Sequence, residues 1–466
     1  MCARMPASGT KFSLLIELDR AAGTPLSDQM ANQLRDLISS GALPAGTPLP
    51  PSRQLAADLL VSRGVIVAAY DQLRHQGWLI SRQGAGTRVA PPPSGDVVAA
   101  AERRRWDRDL HPEVTNVSSF PRVAWSRAFT AALAQLPTQE LGYRSMRGIP
   151  QLREELAAYL ARVRRVRVQP DQIVICAGLL QAVGILRSVL GQFGVHRIAF
   201  PRISHPAVAD ILESEGPRTT WLDVDDGGVV VEQIVKRPGH AVFVNPVHQY
   251  PLGASLTADR AALLADSGLL IVVDHANAEL CHDGLASPAL QSRAPDHTVH
   301  MGSLSRTMAP ALRLGWIAAP PEIAKALSRI TSRWGLAPSA LEQATLAGFI
   351  ASGDLDRHLR ELRQQYRRRA QALAEAFAQQ APELRLHVPN SGFHAVLELG
   401  PDRDEDTVVR AAAARGIRLF GLGNHVLHGA KPPPALIFGY AMVPERGMPA
   451  VAAELRKVVS DAAQVA

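Results

Sequence analysis

Lysine is scarce in this 466-residue chain: Lys11, Lys236, Lys325, Lys431 and Lys457 are the five present, among 50 Lys and Arg together. Chemistry that needs a neutral amine has few side chains to draw on, because a guanidinium does not shed its proton. Cysteine is scarcer still. Cys2, Cys176 and Cys281 are too few and too scattered for a disulfide framework or a structural zinc site, and no metal centre is expected. Long apolar runs are lacking as well; stretches such as 269–273 fall far short of a membrane span. No charged leader running into an apolar segment opens the chain, so it reads as cytoplasmic, with no membrane partner.

What is present is an ordinary globular mixture, 47% hydrophobic and 20% charged, which excludes a disordered chain. The length exceeds what one core organises, so more than one domain is expected. A net charge of +7 and an isoelectric point near 9.6 permit a polyanionic partner without requiring one. Residues 1–90 hold nine Lys and Arg against six Asp and Glu. So mild an excess suits DNA better when two copies act together.

Residues 26–40 place Leu26, Met30, Leu34, Leu37 and Ile38 on one helical face, and Gly41 stands where the helix would stop. A proline-rich turn at 46–51 precedes two short predicted helices, 52–60 and 62–75, with Ser52 and Ser62 as expected N-caps. Strands are predicted at 77–81 and 87–89, around the turn Gln83-Gly84-Ala85-Gly86. Leu55, Leu59 and Tyr70 are expected in the core. Helix, turn, helix and hairpin in that order predict a winged helix-turn-helix that offers its second helix to a DNA major groove.

The segment resembles the winged-helix domain of the GntR regulators. The resemblance rests on Gly46-x-x-Leu49-Pro50-x-Ser52-Arg53-x-Leu55-Ala56, Val61-Ser62-Arg63, Ala69-Tyr70-x-x-Leu73 and Gly84-x-Gly86-Thr87. It implies DNA contacts from Arg53, Ser62 and Arg63, and a wing tip shaped by Gly84 and Gly86. Arg63 suits a guanine edge, and Arg53 a base edge or a phosphate. Gly64-Val65 departs from the family's usual threonine two residues after the arginine, which implies a different base readout.

A linker is expected over 91–118, opening Pro91-Pro92-Pro93-Ser94-Gly95 and continuing through the solvated charge run Glu102-Arg103-Arg104-Arg105. The domain boundaries are therefore 1–90, 91–118 and 119–466. In the last of these, strands are predicted at 173–175, 197–200, 241–244 and 270–273, with helices such as 151–163 and 258–265 between them. That alternation predicts a layered α/β domain with a mainly parallel sheet.

Four stretches of it resemble fold-type I aminotransferases, and specifically the MocR branch of the GntR regulators. They are Tyr143-Arg144-x-x-x-Gly148, Pro246-Val247-His248-Gln249-Tyr250-Pro251-Leu252-Gly253, Val273-Asp274, and the run from Gly302 to Gly315. A fifth, Ser391-Gly392-Phe393-His394, lies near the C-terminus. The resemblance implies a large sheet domain, a smaller C-terminal α+β subdomain, a homodimer and a pyridoxal phosphate site. Asp274 then matches the pyridinium partner, Arg313 the phosphate ligand, Ser303 and Ser305 phosphate donors, and His248 and Gln249 the ring-contacting motif.

The lysine of that site is replaced by Arg306, and no lysine lies between Lys236 and Lys325. An arginine cannot supply the neutral amine that a lysine imine requires, so no covalent cofactor is expected. Ala276, Leu179 with Leu180, Ile203 and Ile437 stand where the family carries a tyrosine, polar phosphate-loop residues, a stacking aromatic and a carboxylate-binding arginine. The expected function is therefore a DNA-binding transcriptional regulator, not an enzyme, whose aminotransferase-like domain dimerises and senses a small-molecule effector. Non-covalent pyridoxal phosphate stays open, as do two alternatives: an aminotransferase-like enzyme, and a non-enzymatic interaction protein. The operator, the regulated genes and the effector are not legible in the sequence.

Overall fold

The computed structural model describes residues 16, 18–20, 22–82, 86–90, 106–142, 146–214, 216–275, 277–282, 288–429 and 431–462. The chain divides into two compact units between residues 104 and 105. No helix among the described residues is long and apolar enough to cross a membrane.

The first unit is built from α1 (Leu26–Ser39), α2 (Ser52–Asp58), α3 (Arg63–His75) and a hairpin of β1 (Leu79–Arg82) and β2 (Gly86–Val89). Met30, Leu34, Leu55, Ile66, Leu73, Leu79 and Val89 close its core, with Tyr70 buried and Leu59 at the edge. The Tyr70 hydroxyl donates to the Pro50 carbonyl at 3.0 Å, tying α3 to the turn ahead of α2. Leu49 and Thr47 hydrogen-bond to β2 through Thr87 O (2.8 Å) and Val89 N (3.0 Å), adding a short third rung to the hairpin.

Two capping expectations are corrected. Pro51 takes the N-cap position of α2, because the Pro50-Pro51 pair keeps the chain extended up to the helix, and Ser52 becomes its first helical residue. Ser62 does hold the N-cap position of α3, yet its hydroxyl makes no cap bond. Helix α2 also ends at Asp58, earlier than the predicted residue 60. The chain turns there through Leu60, whose φ of 56° is left-handed and whose side chain is 80% exposed.

The second unit opens with β3 (Arg108–Asp109), α4 (Arg122–Gln135) and α5 (Pro150–Arg164). Its large sheet takes β4 (Ile173–Cys176), β5 (Arg197–Pro201) and β6 (Arg218–Leu222), with α6 (Leu179–Leu190) and α7 (Pro206–Glu213) between them. A small hairpin, β7 (Val224–Asp225) and β8 (Gly228–Val229), precedes β9 (His240–Val244), α8 (Ala258–Ala265) and β10 (Leu270–Asp274). Then come β11 (Thr298–Ser303), β12 (Gly315–Ala318), α9 (Pro321–Trp334), α10 (Ala340–Ala351) and the long α11 (Asp354–Gln380). The smaller subdomain holds β13 (Leu386–His387), β14 (His394–Glu398), α12 (Glu405–Ala414), β15 (Ile417–Arg418), β16 (Phe420–Gly421), β17 (Ala435–Gly439) and α13 (Met448–Ala462).

The seven-stranded sheet runs β4-β12-β11-β10-β9-β5-β6, parallel except for β12. Strand β12 fits against β11 because Gly302 faces Trp316: a Cβ on Gly302 would lie 2.3 Å from the indole. The carboxyl ends of β4, β5, β9, β10 and β11 therefore share one edge with the start of β12, where ligands of open α/β sheets collect. The second sheet, β13-β14-β17-β16, is antiparallel and packs with α11 and α13 around Phe393, Phe438 and Leu455.

The expected linker end at residue 118 is too late. Residues 106–118 belong to the second unit: β3 pairs in parallel with β15, and the Gly439 N–H bonds to the Leu110 carbonyl at 2.8 Å. Thr115 and Asn116 both bond to the Tyr366 hydroxyl, at 2.9 and 3.1 Å. Composition ends a linker where prolines and charges thin out; backbone pairing ends it earlier.

Leu60 yields a test of the winged helix. A left-handed backbone penalises an L-residue by about 1–2 kcal/mol, of which glycine's greater freedom when unfolded takes back part. Leu60→Gly is expected to stabilise this unit by about 0.5–1 kcal/mol, read as slower amide exchange across α2 and α3 in the full-length chain. Unchanged or faster exchange would show that the turn carries no strain.

Candidate functional site

On the winged helix, the first turns of α2 and α3 bring Arg53 and Arg63 to the surface, with Ser62 exposed beside them. The Arg63 Nε donates to the Ser52 hydroxyl at 3.3 Å, which holds the start of α3 against the start of α2. Gly86, at a φ of 78°, opens the returning wing strand and pairs with Arg82. Gly84 lies outside the described residues, as does the Tyr143-Arg144 motif.

In the second unit the sheet edge gathers most of the predicted pocket. Asp274 ends β10, and its Oδ2 accepts a hydrogen bond from Asn245 Nδ2 at 2.8 Å. Ser303 ends β11 and donates to Ser305 Oγ at 3.1 Å, while the Ser305 N–H returns a bond of 3.2 Å. Gly178, at a φ of 91°, sits just ahead of α6. A Cβ placed on it would come within 3.8 Å of both serine hydroxyls and 3.9 Å of Arg313 Nη1. Glycine, two hydroxyls, a guanidinium and a helix start thus form one cup suited to an anion. The Arg313 side chain has no hydrogen-bond or ion-pair partner among the described residues.

His248 and Gln249 are placed otherwise. Gln249 is fully buried and donates to the backbone carbonyls of Ile203 and Tyr250, at 3.2 and 3.3 Å, so it braces the loop. The His248 Nδ1 lies 2.8 Å from Ser391 Oγ, and burial holds that imidazole well below its ordinary pKa, in the neutral form. Ile203 and Ile437 pack into one small apolar cluster with Val396, Leu422 and Ala435. Leu179 and Leu180 form the first turn of α6, and Ala276 lies outside the described residues. A cavity of about 1160 Å³ is lined by Arg164, Leu252, His275 and Ser391 among others. None of the predicted pocket residues lines it.

Arg306 is the centre of a cluster that the motifs did not reveal. Its side chain is 16% exposed. One guanidinium nitrogen lies 3.7 Å from Glu113 Oε1 and the other 3.5 Å from Asn277 Oδ1, and the group sits 5.1 Å from the Tyr250 ring centre. Its own backbone carbonyl accepts from Thr115 Oγ1 at 2.8 Å. Glu113 also meets His205 Nε2 at 2.9 Å, and the Tyr250 hydroxyl meets His425 Nε2 at 3.0 Å. Neither Glu113 nor His205 falls in a recognisable motif; Glu113 comes from the stretch read as linker, 193 positions before Arg306.

Burial alone would raise the Glu113 carboxyl. The hydrogen bond from His205, and after it the charge on Arg306, outweigh burial and hold it well below its usual 4.5. A depressed carboxylate contributes stability above its unfolded pKa and loses it as pH falls through the folded one. The melting temperature of the wild type should therefore exceed that of Glu113→Gln most above about pH 5, with the gap narrowing towards about pH 3. A gap that stays constant across that range, followed by calorimetry, would show that Glu113 is not held ionised by its neighbours.

Comparison with known proteins matches both halves. Residues 26–89 match the model for bacterial regulatory proteins of the gntR family, and residues 119–421 the model for aminotransferase class I and II. The HTH-type pyridoxine biosynthesis transcriptional regulator PdxR of Corynebacterium glutamicum is 31% identical over 96% of this chain and 99% of its own length. A Rhizobium meliloti protein named probable rhizopine catabolism regulatory protein MocR is 29% identical over 93% of this chain and 94% of its own. Among solved structures, the multiple substrate aminotransferase of Thermococcus profundus shares the fold with a TM-score of 0.69 and 21% identity, over 78% of this chain and 94% of that one. An archaeal alanine:glyoxylate aminotransferase does so at the same TM-score, over 76% of this chain and 91% of that one. The chain belongs to the GntR-family transcriptional regulators of the MocR and PdxR type, in which a winged helix precedes an aminotransferase class I and II domain.

Proposed function

We propose that the chain is a homodimeric DNA-binding regulator whose aminotransferase-like domain dimerises and binds a small effector without transaminase chemistry. The observation that carries this reading is Arg306. Its permanently charged guanidinium stands at the sheet edge where the family resemblance expects the cofactor lysine, and its neighbours are a carboxylate, an amide and a ring face. None of these offers a neutral amine. The apolar packing of Ile203 with Ile437 supports the same conclusion, because it leaves neither a stacking ring nor a carboxylate anchor at those positions.

Exposed Arg53 and Arg63 support base readout by α2 and α3, with Ser62 and the Gly84–Gly86 wing as further contacts. Helix α4 supports the dimer. It packs inward through Ala124, Trp125, Ala128 and Ala132, and leaves Val123 (85%), Phe129 (37%) and Leu133 (57%) exposed. An apolar strip of this kind marks a protein–protein contact. The anion cup at Gly178, Ser303, Ser305 and Arg313 favours one second reading, a phosphate-bearing ligand such as pyridoxal phosphate held without a covalent tether.

Purified protein incubated with pyridoxal phosphate and reduced with borohydride is expected to show no mass increment on a residue of this pocket. A stoichiometric adduct there would sink the non-enzymatic reading. Gel retardation with the promoter region upstream of its own coding sequence, at stated salt, should weaken by about 1–3 kcal/mol for Arg63→Ala and lose roughly one unit of salt slope for each phosphate contact removed. Equal retardation by wild type and by Arg53→Ala/Arg63→Ala would count against specific readout. Val123→Asp/Leu133→Asp should sediment as the 50.1 kDa monomer; an unchanged sedimenting mass would remove α4 from the interface.

A further inference from the structure

We propose that Arg306, His205 and Tyr250 form a carboxylate-binding site that the chain's own Glu113 occupies, and that a free carboxylate ligand binds by displacing it. This rests on the effector-sensing reading above and specifies the chemistry of that effector.

Four observations converge on it. First, Glu113 is the carboxylate of a strap, residues 106–118, fixed at both ends. One end is the pairing of β3 with β15, and the other the bonds of Thr115 and Asn116 to Tyr366. Between those anchors only a short stretch has to move for Glu113 to leave. Second, its bonding is lopsided. His205 Nε2 lies at 2.9 Å, whereas the nearest Arg306 nitrogen is 3.7 Å away. A free carboxylate on a guanidinium forms two parallel bonds at about 2.7–2.9 Å. The tethered Glu113 does not reach that geometry, and Asn277, at 3.5 Å, does not supply it either.

Third, the side chain of Glu113 is 30% exposed against 16% for Arg306. The plug is thus open to exchange with solvent while the cation it covers is nearly enclosed. Fourth, the cluster is cationic and hydrogen-bonding but, among the described residues, supplies no second carboxylate: the Tyr250 hydroxyl donates to Glu113 and lies 3.0 Å from His425 Nε2, and the cation lies over the Tyr250 face. Such a set recognises one carboxylate. The neighbouring cup of serines and Arg313 has a different composition and would hold another part of a ligand or none.

The strap also begins directly after the segment that leads in sequence from the winged helix. Exchange of Glu113 for a ligand therefore changes the packing of the stretch between the strap's two anchors, which follows that segment in sequence. An effector carboxylate acts on the DNA-binding head through this exchange, by as much as its affinity differs between the plugged and unplugged forms.

The test uses full-length wild type, Glu113→Ala, Glu113→Gln and Glu113→Ala/Arg306→Gln, titrated with sodium acetate against sodium chloride and sodium phosphate at equal ionic strength. Calorimetric binding and melting temperature are both read. Acetate is expected to bind Glu113→Ala and Glu113→Gln at least roughly tenfold more tightly than wild type, and to raise their melting temperature selectively. The double variant should lose that response. Equal responses in all four proteins would overturn the proposal, as would phosphate acting as well as acetate on Glu113→Ala. If Glu113→Ala does not fold, Glu113→Gln carries the comparison alone. Operator affinity is measured separately, so failure of the regulator reading appears as lost retardation with acetate discrimination intact.

Discussion

A guanidinium cannot be neutralised by burial, so placing one inside a protein obliges the fold to surround it with acceptors. Arg306 imposes that requirement on the second unit. Its neighbours come from three distant stretches: Glu113 from the strap, Tyr250 from the loop after β9, and Asn277 from the turn after β10. The first two, and Arg306 itself, are held in turn by further contacts. Tyr250 meets His425, Glu113 meets His205, and Thr115 bonds to the carbonyl of Arg306 itself. The same charge works outward on the nearby imidazoles. Burial first, and the positive neighbours after it, lower His248 well below the usual range and His394 to about 4. Those rings stay uncharged near neutrality, which limits the local excess of positive charge to the arginine and whatever anion answers it.

The anion cup of Gly178, Ser303, Ser305 and Arg313 stands on a helix start and the mouth of a parallel sheet, an arrangement suited to a phosphate. Ile203, Ile437 and Leu422 pack in an aliphatic cluster, and a carboxylate from the chain lies 3.7 Å from the Arg306 guanidinium. A sheet framework with an anion cup and an arginine at 306 is what the proposed role, binding without an imine, requires.

Local signals made most of the fold legible in the sequence. The apolar stripe from Leu26 to Ile38 and the strand cores at 173–175, 241–244 and 270–273 appear where periodicity puts them, and α8 spans the predicted residues 258–265. What failed was decided by neighbours remote in sequence. Ser52 looked like a cap, but the proline pair ahead of it set the backbone and left its hydroxyl to Arg63. The antiparallel β12 was missed because the alternation of strands and helices says nothing about direction, which depends on Gly302 admitting Trp316. Glu113 was invisible for the same reason. No periodicity or spacing links a lone glutamate after a proline-rich stretch to an arginine far along the chain.

In the proposed exchange the strap is the element through which a ligand at Arg306 would act. A conformational signal needs two discrete arrangements of one element, each favoured by a different partner. Residues 106–118 are the element the proposal assigns to this role, paired to β15 at one end and bonded to α11 at the other, with Glu113 between them held by His205 and Arg306. Because both anchors lie within the second unit, losing Glu113's contact loosens the strap without unfolding the domain. The coupling available is bounded by what that contact contributes. Allosteric couplings of about 1–3 kcal/mol are typical, and a partly exposed ion pair with one good hydrogen bond is of a size to supply the lower end of that range. A bidentate ligand on Arg306 would exceed it, and the excess is what would hold the strap away.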